Sequence, residues 1–218
     1  MIPNILNELV NDLKNNTLLA SENINGEGRH GSLIDEGNIV NFLEKHAKWG
    51  KYVKDVKARG FGDFILTYDN VTYVINIKST NGSTDNATSK IGFLWAFTDI
   101  PYDEMPKSIS LKKWEYLMRS RKCSDNNRDY WFLVFDKKDM NNIFIRGCKQ
   151  IVNWSHNPTN LLQINWKKEW NTDYPNYTFE QSWDNVYNGM KACIFKNLEN
   201  LPWVVDLIIK DNDKINNG

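Results

Sequence analysis

The chain has 218 residues, 41% of them hydrophobic and 13% aromatic, which suits one well-buried core and argues against disorder. Its 27 basic and 27 acidic residues cancel, which excludes a purely electrostatic nucleic-acid binder but not one that reads sequence through local contacts. No apolar run approaches about 18 residues, no signal-peptide pattern opens the chain, and Cys123, Cys148 and Cys193 are odd in number with no CxxC pairing, so no membrane partner and a reducing, cytoplasmic setting are expected.

No repeat or linker divides the sequence, and 1–218 reads as a single domain. Residues 3–16 carry Ile5, Leu6, Leu9, Val10 and Leu13 on one helical face, to be packed on the core or placed in a dimer interface. A polar loop spans Ser21 to Ser32, and a second helix is expected over about 34–48, ended by Gly50. Strands are expected at about 51–57, 62–68 and 71–78, then a polar excursion from Ser79 to Ser89. Leu111 to Arg119 reads as helical, Tyr130 to Phe135 as a central strand and Asn142 to Gly147 as its neighbour. Further strands are read at Gln150 to Trp154 and Leu161 to Trp166, joined by a polar loop from Ser155 to Asn160. Thr178 and Gln181 form a capping box for a helix over about 179–195, and 203–209 is a last apolar segment. This irregular alternation indicates an α+β fold, α/β/α-like, with a mixed central β-sheet flanked by helices.

The most informative stretch is the hairpin from Gly62 to Thr80, turning at Asp69-Asn70. Side chains alternate along a strand, so Asn76 and Lys78 share one face while Ile75 and Ile77 take the other, with Asp63 at the start of the neighbouring strand. Hydrolysis of a phosphodiester requires charge on the phosphate to be neutralised and a water to be activated. A hard cation such as Mg²⁺ does both when one or two carboxylates hold it. Asp63 would be the carboxylate ligand, Asn76 and the backbone carbonyl of Ile77 neutral oxygen ligands, and Lys78 the stabiliser of developing negative charge.

This hairpin resembles the PD-(D/E)xK nuclease motif, and in particular the EcoRV/PvuII-like branch of type II restriction endonucleases. Gly62-Asp63-Phe64 stands where that family has Pro-Asp-Phe, and Asn76-Ile77-Lys78 where it has an acidic residue, any residue and lysine. The resemblance implies a restriction-endonuclease-like fold and a homodimer that cuts double-stranded DNA with Mg²⁺. It departs from the family at Asn76. Either a carboxylate from the second helix, Glu36 or Glu44, restores the missing charge, or the asparagine is an engineered inactivation; these two readings stand level, and both rank above a domain that binds DNA without cutting it. A repair or junction-resolving nuclease is a further reading, for which a more basic surface is expected.

DNA contacts are expected from Arg59, at the end of a basic run that leads into Asp63, and from Ser79, Thr80 and Asn81 behind the catalytic strand. In the Ser155–Asn160 loop, Asn157 and Asn160 offer paired donors and acceptors to adenine edges, while Ser155, His156 and Thr159 offer single contacts. Trp154, Trp166, Trp170 and Trp183 read as core residues.

Overall fold

The computed structural model describes residues 2–16, 28–56, 61–80, 84–86, 90–125, 128–157 and 160–199. Arg59, Asn81, Thr159 and the apolar segment 203–209 lie outside them, as do the side chains of Ser155, His156, Asn157 and Asn160.

Helix α1 (Asn4–Lys14) buries Ile5, Leu6, Leu9, Val10 and Leu13, the stripe expected from its spacing. That stripe packs on the chain's own core beside the sheet rather than standing free. Helix α2 (Gly28–Lys45) starts and ends earlier than the expected 34–48. A lysine clamp joins the two: Lys48 Nζ lies 3.1 Å from both Glu8 and Asp12, and Asp12 also accepts from the Trp49 indole at 3.0 Å.

Strands β1 (Val53–Asp55), β2 (Phe64–Tyr68) and β3 (Val71–Thr80) form an antiparallel meander. Asp69 and Asn70 turn the hairpin with φ of 50° and 60°, the left-handed pair that a two-residue turn requires and that Asp and Asn tolerate. Strand β3 then pairs in parallel with β5 (Tyr130–Asp136), reached through α3 (Lys90–Phe97) and α4 (Leu111–Ser120), and β5 pairs antiparallel with β6 (Asp139–Gly147). The five-stranded mixed sheet runs β1-β2-β3-β5-β6, and the α+β class read from the sequence is what the chain adopts.

Two helical layers cover this sheet. On one face Ile39, Val40 and Leu43 of α2 join α1 over Ile75, Ile77, Leu133 and Phe135. On the other, α3 lies over Val74, Phe132 and Val134 with Trp114, Val186 and Met190. Helix α3 has no counterpart among the expected elements: residues 92–97 are buried all round, so the Lys-Ile-Gly-Phe-Leu-Trp-Ala-Phe run shows no polar face to mark a helical period. Helix α4 is capped by Ser110, which accepts from the Lys113 amide at 3.3 Å. Helix α5 (Trp166–Trp170) is short, and α6 (Phe179–Glu199) opens on the expected capping box, with Gln181 accepting from the Thr178 amide and Thr178 from the Gln181 amide.

Two expectations are corrected. Residues 150–153 are not a strand; a 3-10 turn over Cys148–Gln150 is followed by extended chain at Ile151, and strand begins only at Trp154. The expected loop from Ser155 to Asn160 largely belongs to a hairpin of β7 (Trp154–Asn157) and β8 (Asn160–Asn165), with Asn157 opposite Asn160. The polar excursion after Thr80 contributes β4 (Thr84–Asn86), which pairs with β8, so a second sheet of order β4-β8-β7 stands beside the first.

Candidate functional site

Pleating places Asn76 and Lys78 on the face of β3 that carries Val74, opposite Phe132 and Val134 of β5, while Ile75 and Ile77 sink fully into the other layer. Asp63 immediately precedes β2, where its amide donates to the Ile75 carbonyl at 2.8 Å. This anchors it beside the middle of β3. Its Oδ2 accepts from the Asn76 side-chain amide at 2.8 Å and from the Ile77 backbone amide at 2.5 Å. The other oxygen, Oδ1, accepts no hydrogen bond among the described residues. Lys78 is half-buried and forms no hydrogen bond or ion pair among the described residues, yet its charge acts on Asp63. Asp63, Asn76, Ile77 and Lys78 therefore lie together, as their spacing implies.

Electrostatics at Asp63 are contested. Burial pushes its carboxyl above the usual carboxylate range; the Ile77 amide and the Lys78 ammonium pull it back, and Asp55 pushes it up further. A carboxylate held in a partly desolvated position, with one oxygen tied to the strand and the other unengaged, favours an added positive charge. Asp63 is thus the carboxylate here that could hold a hydrated divalent cation, with waters completing its shell. Ile77 contributes its amide to Asp63. The Asn76 amide likewise points its nitrogen toward Asp63.

The helix carboxylates occupy a different place. Glu36 and Glu44 belong to α2, which packs on the sheet face opposite to Asn76 and Lys78. Glu44 Oε1 accepts from the Asp55 amide at 3.3 Å, at the outer strand. Among the described residues no group of three carboxylate, histidine or cysteine side chains is placed to hold a cation, so neither glutamate builds a three-carboxylate cluster with Asp63.

Beside Asp63 and Asn76 opens a cavity of about 590 Å³, lined also by Phe61, Lys90, Tyr102 and Lys107. None of these four stands out in the sequence as a functional residue. Phe61 adjoins Gly62-Asp63, but nothing in the spacing brings the segment 102–109 over the strands; only the packing of α3 and its following loop does so. A second cavity, of about 640 Å³, holds Asp129 and Lys149. Its polar groups are spent internally: Asp129 Oδ1 accepts from the Tyr130 and Lys149 amides and the Cys148 thiol, and Lys149 Nζ donates to the carbonyls of Asp125 and Arg128.

Of the residues expected to meet DNA, Ser79 and Thr80 extend β3, opposite Phe135 and Asp136 of β5. Thr80 is buried, and its carbonyl accepts from the Lys137 amide, so it supports the sheet rather than presenting a surface. Ser155, His156 and Asn157 lie on β7 and Asn160 opens β8. Three further arginines that could meet a phosphate are engaged within the chain: Arg119 pairs with Glu115, Arg121 with Asp99, and Arg128 donates to the carbonyls of Trp95 and Ile100. Trp166 is buried, and Trp154, Trp170 and Trp183 pack against the same core, as read from their neighbours. Among the described residues no helix is long and apolar enough to cross a membrane. In comparisons with known proteins, the chain matches no family model and no curated protein.

Proposed function

We propose that the chain is a Mg²⁺-dependent, site-specific endonuclease of the type II restriction class, acting as a homodimer that hydrolyses phosphodiester bonds in double-stranded DNA to leave 5′-phosphate ends. The observation that carries this reading is the constellation on the hairpin: Asp63 hydrogen-bonded to Asn76 and to the Ile77 amide, with Lys78 on the same face. Bound at Asp63, Mg²⁺ would polarise the scissile phosphate and lower the pKa of a coordinated water. The protein's own groups have separate tasks. Asp63 supplies the carboxylate, and its two hydrogen bonds hold that carboxylate in one orientation. Lys78 supplies a cation against the negative charge that grows on the phosphate.

The position of the small sheet favours DNA over a smaller phosphodiester. Strand β4 follows β3 within a few residues and pairs with β8, so both polar segments read as DNA-contacting belong to one structure joined to the catalytic strand. Incubating the full chain with plasmid DNA and Mg²⁺ tests the reading. Discrete fragments are the expected result. A smear would replace it with an unspecific or structure-guided nuclease.

A second reading has its own support: Asn76, at the position where the motif calls for a second carboxylate, brings a neutral amide to Asp63. On that reading the domain binds DNA without cutting it, and the plasmid stays intact while a gel-shift assay still detects binding.

A further inference from the structure

We infer that the cavity beside Asp63 is a nucleotide pocket, which receives one base turned out of its stack next to the phosphate being attacked. The inference rests on the nuclease reading for its substrate, but on different residues for its evidence. Asp63 and Asn76 both line the cavity, and Lys78 does not. A phosphate at Asp63 therefore has its neighbouring base within reach of the space.

The walls have the chemistry of a nucleotide site. Phe61 and Tyr102 are half-buried, their ring centroids 4.8 Å apart and their planes inclined by 37°. Trp95 meets Tyr102 edge-on at 5.7 Å and Phe61 at 6.1 Å, which fixes both rings from behind. Rings held this way and still partly exposed are stacking platforms, and every base has a face to stack on them. Lys90 donates to the Ile109 carbonyl at 3.3 Å, pinning the segment over the cavity. An ammonium has three donors and Lys90 uses one of them among the described residues, so it can also donate to a phosphate, and exposed Lys107 adds a second cation at the rim.

Size selects the occupant. At about 590 Å³ the space lies in the range of pockets that enclose a single small ligand. It takes one nucleotide but not a stacked duplex, so the base must leave its stack to enter, at a cost that the aromatic contacts offset.

Binding of deoxynucleoside 5′-monophosphates and of deoxyribose 5-phosphate to the full chain in EDTA, followed by calorimetry and saturation-transfer NMR, tests the pocket. Nucleotides are expected to bind at least about fivefold tighter than the sugar phosphate, since one base–aromatic stack is worth that much or more. Tyr102→Leu and Phe61→Leu, which keep apolar volume, should each remove most of that advantage, and Lys90→Gln should weaken nucleotide and sugar phosphate alike. Equal binding of nucleotide and sugar phosphate, or undiminished nucleotide binding in both leucine variants, would overturn the pocket. The two readings fail separately: nucleotide binding without plasmid cleavage would sink the nuclease and keep the pocket, whereas plasmid cleavage without nucleotide binding would sink the pocket alone.

Discussion

Asn76→Asp is the sharpest perturbation of the site. The Asn76 nitrogen lies 2.8 Å from Asp63 Oδ2, and the substitution sets a second carboxylate oxygen in its place. Two carboxylate charges roughly 4 Å apart repel by about 4 kcal/mol at an effective dielectric constant of about 20. Loss of the hydrogen bond to a charged group adds about 1.5–3 kcal/mol. A proton shared between the two carboxyls caps the penalty, as in other close acid pairs. A net loss of about 3–5 kcal/mol is expected at pH 8 in EDTA, equivalent to a fall in Tm of roughly 6–20 °C for a chain of this size. The sign with pH is fixed by the pair: its upper folded pKa is raised, so the penalty is absent below the unfolded carboxylate value of about 3.9 and grows as pH rises through the folded value. Mg²⁺ reverses it, returning about 2.7 kcal/mol when present at 100 times its dissociation constant. Thermal melts at pH 4 and 8, with EDTA and with Mg²⁺, read all three effects, and plasmid cleavage should be retained or raised. A variant as stable as the parent at pH 8 in EDTA, or one whose melting ignores Mg²⁺, would refute the site.

Lys78→Ala should lower cleavage by about 10²–10³-fold, the usual loss for one charge-stabilising donor, with little change in Tm because the side chain bonds to no described residue; full activity in this variant would remove Lys78 from the mechanism. Asp63→Asn should abolish cleavage and flatten the pH dependence of stability in EDTA. Burial holds the Asp63 carboxyl above its unfolded value, so the parent loses stability as pH rises from about 3.9 through the folded value. Equal slopes in parent and variant would contradict that assignment. Glu169→Ala should cost about 3–5 kcal/mol in urea unfolding, because it strands Arg146, 5% exposed, and frees the amides of Val152 and Asn153; a loss under about 1 kcal/mol would show that the pair is not buried as described. Gly92→Ala should destabilise by about 1–3 kcal/mol through overpacking, since its new methyl would meet the Tyr130 ring at 2.6 Å.

The hairpin was legible because its determinants are local. Asp69 and Asn70 tolerate positive φ, β-branched residues favour strands, and period-two alternation alone puts Asn76 and Lys78 on the face away from Ile75 and Ile77. The capping box at Thr178 and Gln181 and the stripe of α1 are local in the same sense. What stayed hidden is uniform or distant. Helix α3 is apolar on every side, so it shows no period, and β7 is polar enough to pass for a loop until it pairs with β8.

The sequence by itself therefore determined the hairpin, the α+β class and the sharing of one strand face by Asn76 and Lys78, since local patterning and backbone geometry settle these. Only the tertiary structure decided what surrounds them. Packing set α2, with Glu36 and Glu44, on the far face of the sheet. It also brought Phe61, Lys90 and Tyr102 around one space beside Asp63. Contacts between segments distant in sequence depend on how whole layers bury their apolar faces, and no spacing within one segment encodes that.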